Sequence, residues 1–212
     1  LQTKRKIRTA VKTIGTLFLM VLSSGIFAQK EDVNKADKDL EWLKQTMGYT
    51  EILQAPSFYQ FIDKDKKEAV SIRAQRASDI YSKFIGETFM SGEKYVELSE
   101  KLALALHFQI KDFSHRDSLP PQYHQSLEII EGAIEYDKKL GGKRQTELYL
   151  TAANLAAPHF YFAYIPKPAA EAEELAFEYL GMAGKAFFAR GDSTQAVKCW
   201  RAVGNRNLQQ SL

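Results

Sequence analysis

Apolar side chains recur along most of the chain at intervals of three and four residues, which is the period of an amphipathic α-helix. In the first such stretch, residues 32–47, the apolar positions are Val33, Ala36, Leu40, Leu43 and Met47. No segment has the alternating pattern of a half-buried strand or the Asn-Gly turn of a β-hairpin. The sequence therefore predicts an all-α protein.

Glycine and proline divide the rest of the chain into helices. A short aromatic helix is expected at residues 57–62, and longer helices are expected over residues 65–90, 93–110, 120–140, 143–157, 166–190 and 193–203. Tight turns at Gly92, Gly141-Gly142 and Gly191 join the longer helices two by two, because glycine commonly ends a helix. These helices therefore form three antiparallel pairs.

The first 28 residues have the three parts of a secretory signal peptide. They begin with five cations and no acid, continue into an uncharged apolar stretch at residues 13–29, and reach a cleavage point at Ala28. An uncleaved membrane anchor is the alternative, although a helix over residues 13–29 would span only about 25 Å of a ~30 Å hydrocarbon core. Leu1 is not methionine, which suggests an alternative start codon or an incomplete chain.

Removal of this leader reverses the net charge. The 212 residues include 29 Lys and Arg against 26 Asp and Glu, a formal charge of +3. Without the five leader cations the balance is 24 against 26, so the mature chain carries −2. A nucleic-acid partner is therefore not expected, because it needs a basic surface on the working domain. Contact with a membrane is expected only through an uncleaved leader.

The first and last helix pairs repeat one another. Residues 80–105 align with residues 178–203, ninety-eight positions further on. The aligned residues are Tyr81 and Tyr179, Gly86 and Gly184, Phe89 and Phe187, and Leu102 and Trp200. A glycine inside a helix costs about 1 kcal/mol, so the aligned glycines are expected to mark the close approach of another group.

The last pair also contains a family motif. Its residues are Ala183-Gly184, Phe187, Gly191-Asp192, Ala196, Trp200 and Val203. They resemble the Leu-Gly, aromatic, turn and alanine positions of the tetratricopeptide repeat, and the first pair matches more loosely. The units are about 46–52 residues apart, whereas the family has 34. The resemblance implies antiparallel helix pairs stacked as an α-solenoid, and a generic antiparallel helical bundle is the alternative.

The resemblance further implies a concave groove, lined by the first helix of each pair, that binds a protein or peptide. The groove positions that it implies are Lys83, Glu87 and Met90 in the first pair and Glu178, Lys185 and Phe188 in the last. An exposed Phe188 beside a lysine suits the anchoring of an extended peptide. The alternative is that Phe188 packs on a neighbouring element.

Candidate catalytic and metal-binding residues form no recognisable constellation. Asp112, His115 and Asp117 share the loop at residues 111–117, but its Lys and Arg side chains oppose a cation. Gly141-Gly142-Lys143 lacks the other residues of a phosphate-binding loop, and Cys199 fits a packed structural thiol. We therefore predict no catalysis, no metal and no cofactor.

Three segments follow from these patterns: a leader at residues 1–28, an N-terminal helix and aromatic linker at 29–64, and a helical-repeat domain at 65–212. The leading hypothesis is an exported bacterial protein, periplasmic or extracellular, that binds a partner polypeptide. The first alternative is the extracytoplasmic sensing region of a larger signalling protein, anchored in the inner membrane by residues 13–29. An unrecognised enzyme is the third hypothesis.

Overall fold

The computed structural model describes residues 32–47, 49, 64–86, 92–110, 119–156 and 167–210. Within these ranges the chain forms seven α-helices and no strand, so the prediction of an all-α fold is confirmed. The helices are α1 (residues 32–46), α2 (Lys64–Gly86), α3 (Glu93–Phe108), α4 (Pro121–Lys139), α5 (Gln145–Ala156), α6 (Lys167–Ala189) and α7 (Ser193–Gln210).

The turns within the three pairs depend on glycine. The φ angles of Gly92, Gly141, Gly142 and Gly191 are positive, between 70° and 104°. Residues that have a Cβ atom rarely adopt such angles. At the other end of a helix, Pro121 is the first residue of α4, where its missing N–H removes no intrahelical hydrogen bond. The predicted turn positions and this helix start are confirmed.

Several predicted helix ends are wrong. α7 continues seven residues beyond Val203, because Gly204 costs only about 1 kcal/mol inside a helix and no proline follows it. α3 ends at Phe108 rather than at residue 110, and α5 begins at Gln145 rather than at residue 143. The short helix predicted at residues 57–62 lies outside the described residues, as does the predicted end of α2.

Consecutive helices from α2 to α7 pack against each other in chain order, and α3 also packs against α5. One apolar core runs through all seven described helices. Its members include Leu43 of α1, Tyr81 of α2, Leu98 of α3, Ile130 of α4, Leu155 of α5, Leu180 of α6 and Cys199 of α7. The three helix pairs α2–α3, α4–α5 and α6–α7 are therefore stacked in sequence order.

Helix α1 belongs to the same packed unit as the first pair. The buried Asp39 carboxylate accepts hydrogen bonds from Arg73, at 3.1 Å, and from Arg76, at 2.6 Å, both on α2. Asp37 pairs with Lys101 of α3 at 2.9 Å. These contacts fix α1 against both helices of the first pair.

Polar contacts also connect successive turns along one end of the stack. Lys143, between α4 and α5, pairs with Glu93 at the start of α3 at 2.8 Å. Arg190, between α6 and α7, donates hydrogen bonds to the Lys143 carbonyl and the Thr146 hydroxyl, each at 2.9 Å. A basic residue in each of the two later turns thus contacts the helix pair before it, which supports the stacking order.

Candidate functional site

The structure describes four of the six groove positions that the resemblance implies. They are all exposed, and they are Lys83 on α2 and Glu178, Lys185 and Phe188 on α6. α2 and α6 do not pack against each other in the described part of the chain. Glu87 and Met90 lie outside the described residues. Three of the predicted residues therefore share one helix, and Lys83 belongs to a different part of the surface.

One face of α6 is solvent-exposed and carries charges of both signs. Residues 178, 181, 185 and 188 follow at spacings of three and four, so they form one stripe along the helix. We define this α6 stripe by its residues, Glu178, Gly181, Lys185 and Phe188. Neither the Glu178 carboxylate nor the Lys185 ammonium has an ion-pair partner among the described residues. Both charges are therefore available to another molecule.

The aromatic ring at the end of the α6 stripe lies beside a second ring. The ring centroids of Phe188 and Trp200 are 5.8 Å apart, and the ring planes are tilted by 45°. Phe188 is 61% exposed and Trp200 is 40% exposed. Both alternatives for Phe188, packing on a neighbouring element and exposure to solvent, therefore apply. Its ring packs on Trp200, and most of its surface is exposed.

Trp200 reaches this position because Gly184 has no side chain. A Cβ atom at position 184 would lie 2.4 Å from Nε1 and 2.8 Å from Cδ1 of Trp200. The prediction that a helical glycine marks a close approach is therefore confirmed for Gly184. It is wrong for Gly86, where no atom of the described residues lies within 4 Å of a Cβ position. Sequence reasoning placed Trp200 in the motif but not in the groove, and Gly184 was the available signal for its position.

Tyr179 connects α6 to the preceding helix pair. Its hydroxyl donates a hydrogen bond to the Glu131 carboxylate of α4. Burial raises the pKa of Tyr179, and the hydrogen bond to Glu131 raises it further. The protonated hydroxyl donates this hydrogen bond, which joins α6 to α4.

A cluster of charged and polar side chains lies where the α4–α5 turn meets α3. The Glu100 carboxylate accepts a hydrogen bond from the Thr151 hydroxyl, at 2.7 Å, and pairs with Arg144. The buried Asp137 carboxylate accepts hydrogen bonds from the Arg144 backbone N–H, at 3.1 Å, and from the Gln145 amide, at 3.0 Å. Both carboxylates thus have hydrogen-bond partners within the protein, and Glu100 also has an ion-pair partner. The cluster holds the α4–α5 turn against α3.

Other side chains with acid–base or nucleophilic chemistry are dispersed over the fold. Cys199 is buried on α7, and burial raises the pKa of its thiol, as expected for a packed thiol. His107 is buried on α3. Within the described ranges, no three His, Cys, Asp or Glu side chains are close enough to hold a metal ion. The loop at residues 111–117 lies outside the described residues.

None of the described helices combines the length and the apolarity needed to cross a membrane. No protein-family model, curated protein or solved structure matches the chain. The exposed surface formed by the α6 stripe and Trp200 is the candidate binding surface of the described chain.

Proposed function

We propose that this chain is an exported helical-repeat protein, similar in architecture to tetratricopeptide repeat proteins, that binds a partner polypeptide and catalyses no reaction. The observation that carries the proposal is the pair of exposed aromatic rings, Phe188 and Trp200, next to the exposed Lys185. Aromatic side chains dominate the energy of protein–protein contacts, and charged residues around them add orientation and specificity.

The regular stacking of the helix pairs supports the repeat interpretation. Gly92 and Gly191 occupy equivalent turns and have φ angles of 72° and 84°. The Gly184–Trp200 contact joins the Leu-Gly and aromatic positions of the proposed motif. Each helix pair buries its apolar face against its neighbour, which is how helical repeats obtain a continuous core.

Photo-crosslinking tests the binding surface. A benzoylphenylalanine residue at position 185 or 188 is expected to capture a polypeptide in the cells of origin, because both positions are exposed on the α6 stripe. The matched control is position 198, since Lys198 is also exposed but points away from Trp200, two residues further along α7. Position 83 tests whether Lys83 belongs to the same surface. Equal labelling at 185, 188 and 198, or none at any of them, contradicts the proposal.

Residues 1–28 carry the proposal of export. Their cationic start, apolar stretch and terminal Ala28 suit cleavage, which leaves a mature chain in the periplasm or outside the cell. Mass spectrometry of the chain from a Gram-negative host is expected to find an N-terminus at Gln29. A membrane-bound chain that retains residues 13–29 contradicts cleavage and favours an anchored sensing region of a larger signalling protein.

A further inference from the structure

The outward face of α7 is the counterpart of helix faces that other helices cover in the first two pairs. α4 packs against α3, and α6 packs against α5, so the first helix of each later pair covers the second helix of the pair before it. Ser99 and Leu102 of α3 are buried. Their counterparts ninety-eight positions on, Val197 and Trp200, are each 40% exposed. The last pair therefore presents a helix-binding face that carries no helix in the described part of the chain.

The charges of the α6 stripe suit pairing with an identical helix. Glu178 lies three residues before Gly181, and Lys185 lies four residues after it. When two copies of α6 lie antiparallel and cross near Gly181, the Glu178 carboxylate of each copy faces the Lys185 ammonium of the other. An interface about a two-fold axis needs this self-complementarity, because each contact between two residues occurs twice.

Gly181 favours a close crossing of the two helices. It lies within α6 with no side chain, and no atom of the described residues lies within 4 Å of its Cβ position. α6 has 23 residues and is about 34 Å long, so an antiparallel pair makes contact over several turns. Phe188 and Trp200 then add apolar surface at both ends of the crossing, as the centre of a stable interface requires.

We propose that the partner polypeptide of this surface is a second copy of the chain. Two copies pair their last helix pairs about a two-fold axis near Gly181, with two Glu178–Lys185 contacts and the rings of Phe188 and Trp200 packed against the facing chain. This inference rests on the proposed function, since it names the partner of the same surface. It assigns helical packing, rather than an extended peptide, to the surface formed by the α6 stripe and Trp200.

The pairing is tested by size-exclusion chromatography with light scattering over a dilution series. The sample is the chain purified after expression from its full sequence, with any leader cleavage that the host cell carries out. The wild type is expected to have twice the chain mass. Lys185→Glu and Glu178→Lys are each expected to raise the dimer dissociation constant about 10-fold or more, because each places like charges face to face twice. The double variant restores opposite charges and is expected to return within about threefold of the wild type.

Two further variants separate pairing from folding. Lys198→Glu makes the same charge change as Lys185→Glu on the other side of α7 and is expected to leave the dissociation constant unchanged. Phe188→Ala is expected to weaken the dimer about 10-fold while helical circular dichroism stays the same, since its ring is mostly exposed. A wild type that stays monomeric, a single reversal without effect, or a double variant without recovery overturns the pairing.

The crosslinking experiment distinguishes this inference from the proposed function. If the wild type is a monomer and position 188 captures a different polypeptide, the self-pairing is overturned and the proposed function stands. If the wild type is a monomer and position 188 captures nothing, both are overturned. An adduct of two copies of the chain, lost in Lys185→Glu and recovered in the double variant, supports both.

Discussion

The first and last helix pairs have equivalent residues in opposite surroundings. Leu102 of α3 is 6% exposed, whereas its counterpart Trp200 of α7 is 40% exposed. The first pair packs against α1 through Asp37 and Asp39 and is covered by α4 on its other side. Within the described chain, the last pair packs against α5, contacts α4 through Tyr179 and Glu131, and reaches the α4–α5 turn through Arg190. A motif position is therefore core or surface according to its place in the stack.

The two helical glycines of these pairs differ in the same way. Gly184 is required by the Trp200 ring, while a Cβ atom at Gly86 would meet no described atom within 4 Å. A large ring at position 200 needs space on the facing helix, and the smaller Leu102 does not. Both helix pairs have a glycine at this aligned position, but among the described residues only Gly184 has a packing role.

Charged side chains also differ between the two pairs. In the first pair, Lys101 bridges Asp37 of α1 and Glu97 of its own helix, at 2.9 Å and 2.7 Å. In the last pair, Glu178 and Lys185 have no ion-pair partner in the residues that the structure describes. Lys101 thus helps to hold the first pair together, whereas Glu178 and Lys185 remain open to a second molecule.

The largest expected effect on the free energy of unfolding comes from a substitution in the buried core of the first helix pair. Leu102→Ala is expected to lower the free energy of unfolding by about 2–5 kcal/mol, because it leaves a cavity in the core. Phe188→Ala is expected to lower it by less than about 1 kcal/mol in the monomer, because the ring is mostly exposed. Urea unfolding followed by circular dichroism, at a dilution that keeps the chain monomeric, measures both. Equal losses would contradict the contrast.

A smaller effect separates the two glycines. Gly184→Ala is expected to lower the free energy of unfolding by about 1–3 kcal/mol, because the new Cβ overlaps the Trp200 ring. Gly86→Ala and Gly132→Ala, which meet open space, are expected to raise it by up to about 1 kcal/mol through helix propensity. Thermal unfolding measures all three variants. In a Trp200→Leu background the cost of Gly184→Ala is expected to disappear, and a persistent cost would show that the ring is not its cause.

The smallest effect concerns the ion pairs of the first helix pair. Burial raises the pKa of Glu97, but hydrogen bonds from Lys101 and Lys94 outweigh it, so the pKa lies below its usual 4.5. A lower pKa in the folded state means that the stabilisation is present above pH 4.5 and is lost as pH falls through the folded pKa.

Glu97→Gln is therefore expected to lower the free energy of unfolding by less than about 1 kcal/mol at neutral pH and to have a smaller effect near pH 3. Urea unfolding of variant and wild type at both pH values measures the difference. Glu128→Gln is the matched control, since Glu128 is exposed on α4 and has no ion pair within the described ranges. A loss for Glu97→Gln that stays constant with pH would rule out the ion pairs as its source.

Much of the helical architecture could be predicted from local patterns. The apolar spacing from Val33 to Met47 predicts α1, and the glycines at 92, 141, 142 and 191 predict the turns, because both depend on interactions between neighbours in sequence. The end of α7 could not be predicted in this way. Its helix passes through Gly204, where the lost propensity is too small to stop it.

The surface was less predictable than the fold. Phe188, Lys185 and Glu178 were identified on α6 from the motif, whereas the exposure of Trp200 depends on the absence of a covering helix and on the space at Gly184. Lys83 was grouped with them, but it lies on a helix that does not pack against α6. Contacts between distant segments leave little trace in one sequence.

The sequence by itself determined the all-α class, the three helix pairs and the difference in formal charge between the whole chain, +3, and residues 29–212, −2, because periodicity, turn residues and composition are local properties. The tertiary structure decided which equivalent positions are covered, which glycine has a packing role and which charges stay unpaired. Those outcomes depend on the neighbour that each helix face meets. The physical reason is that a residue is buried only when a second surface covers it, and the sequence of one segment specifies only its own surface.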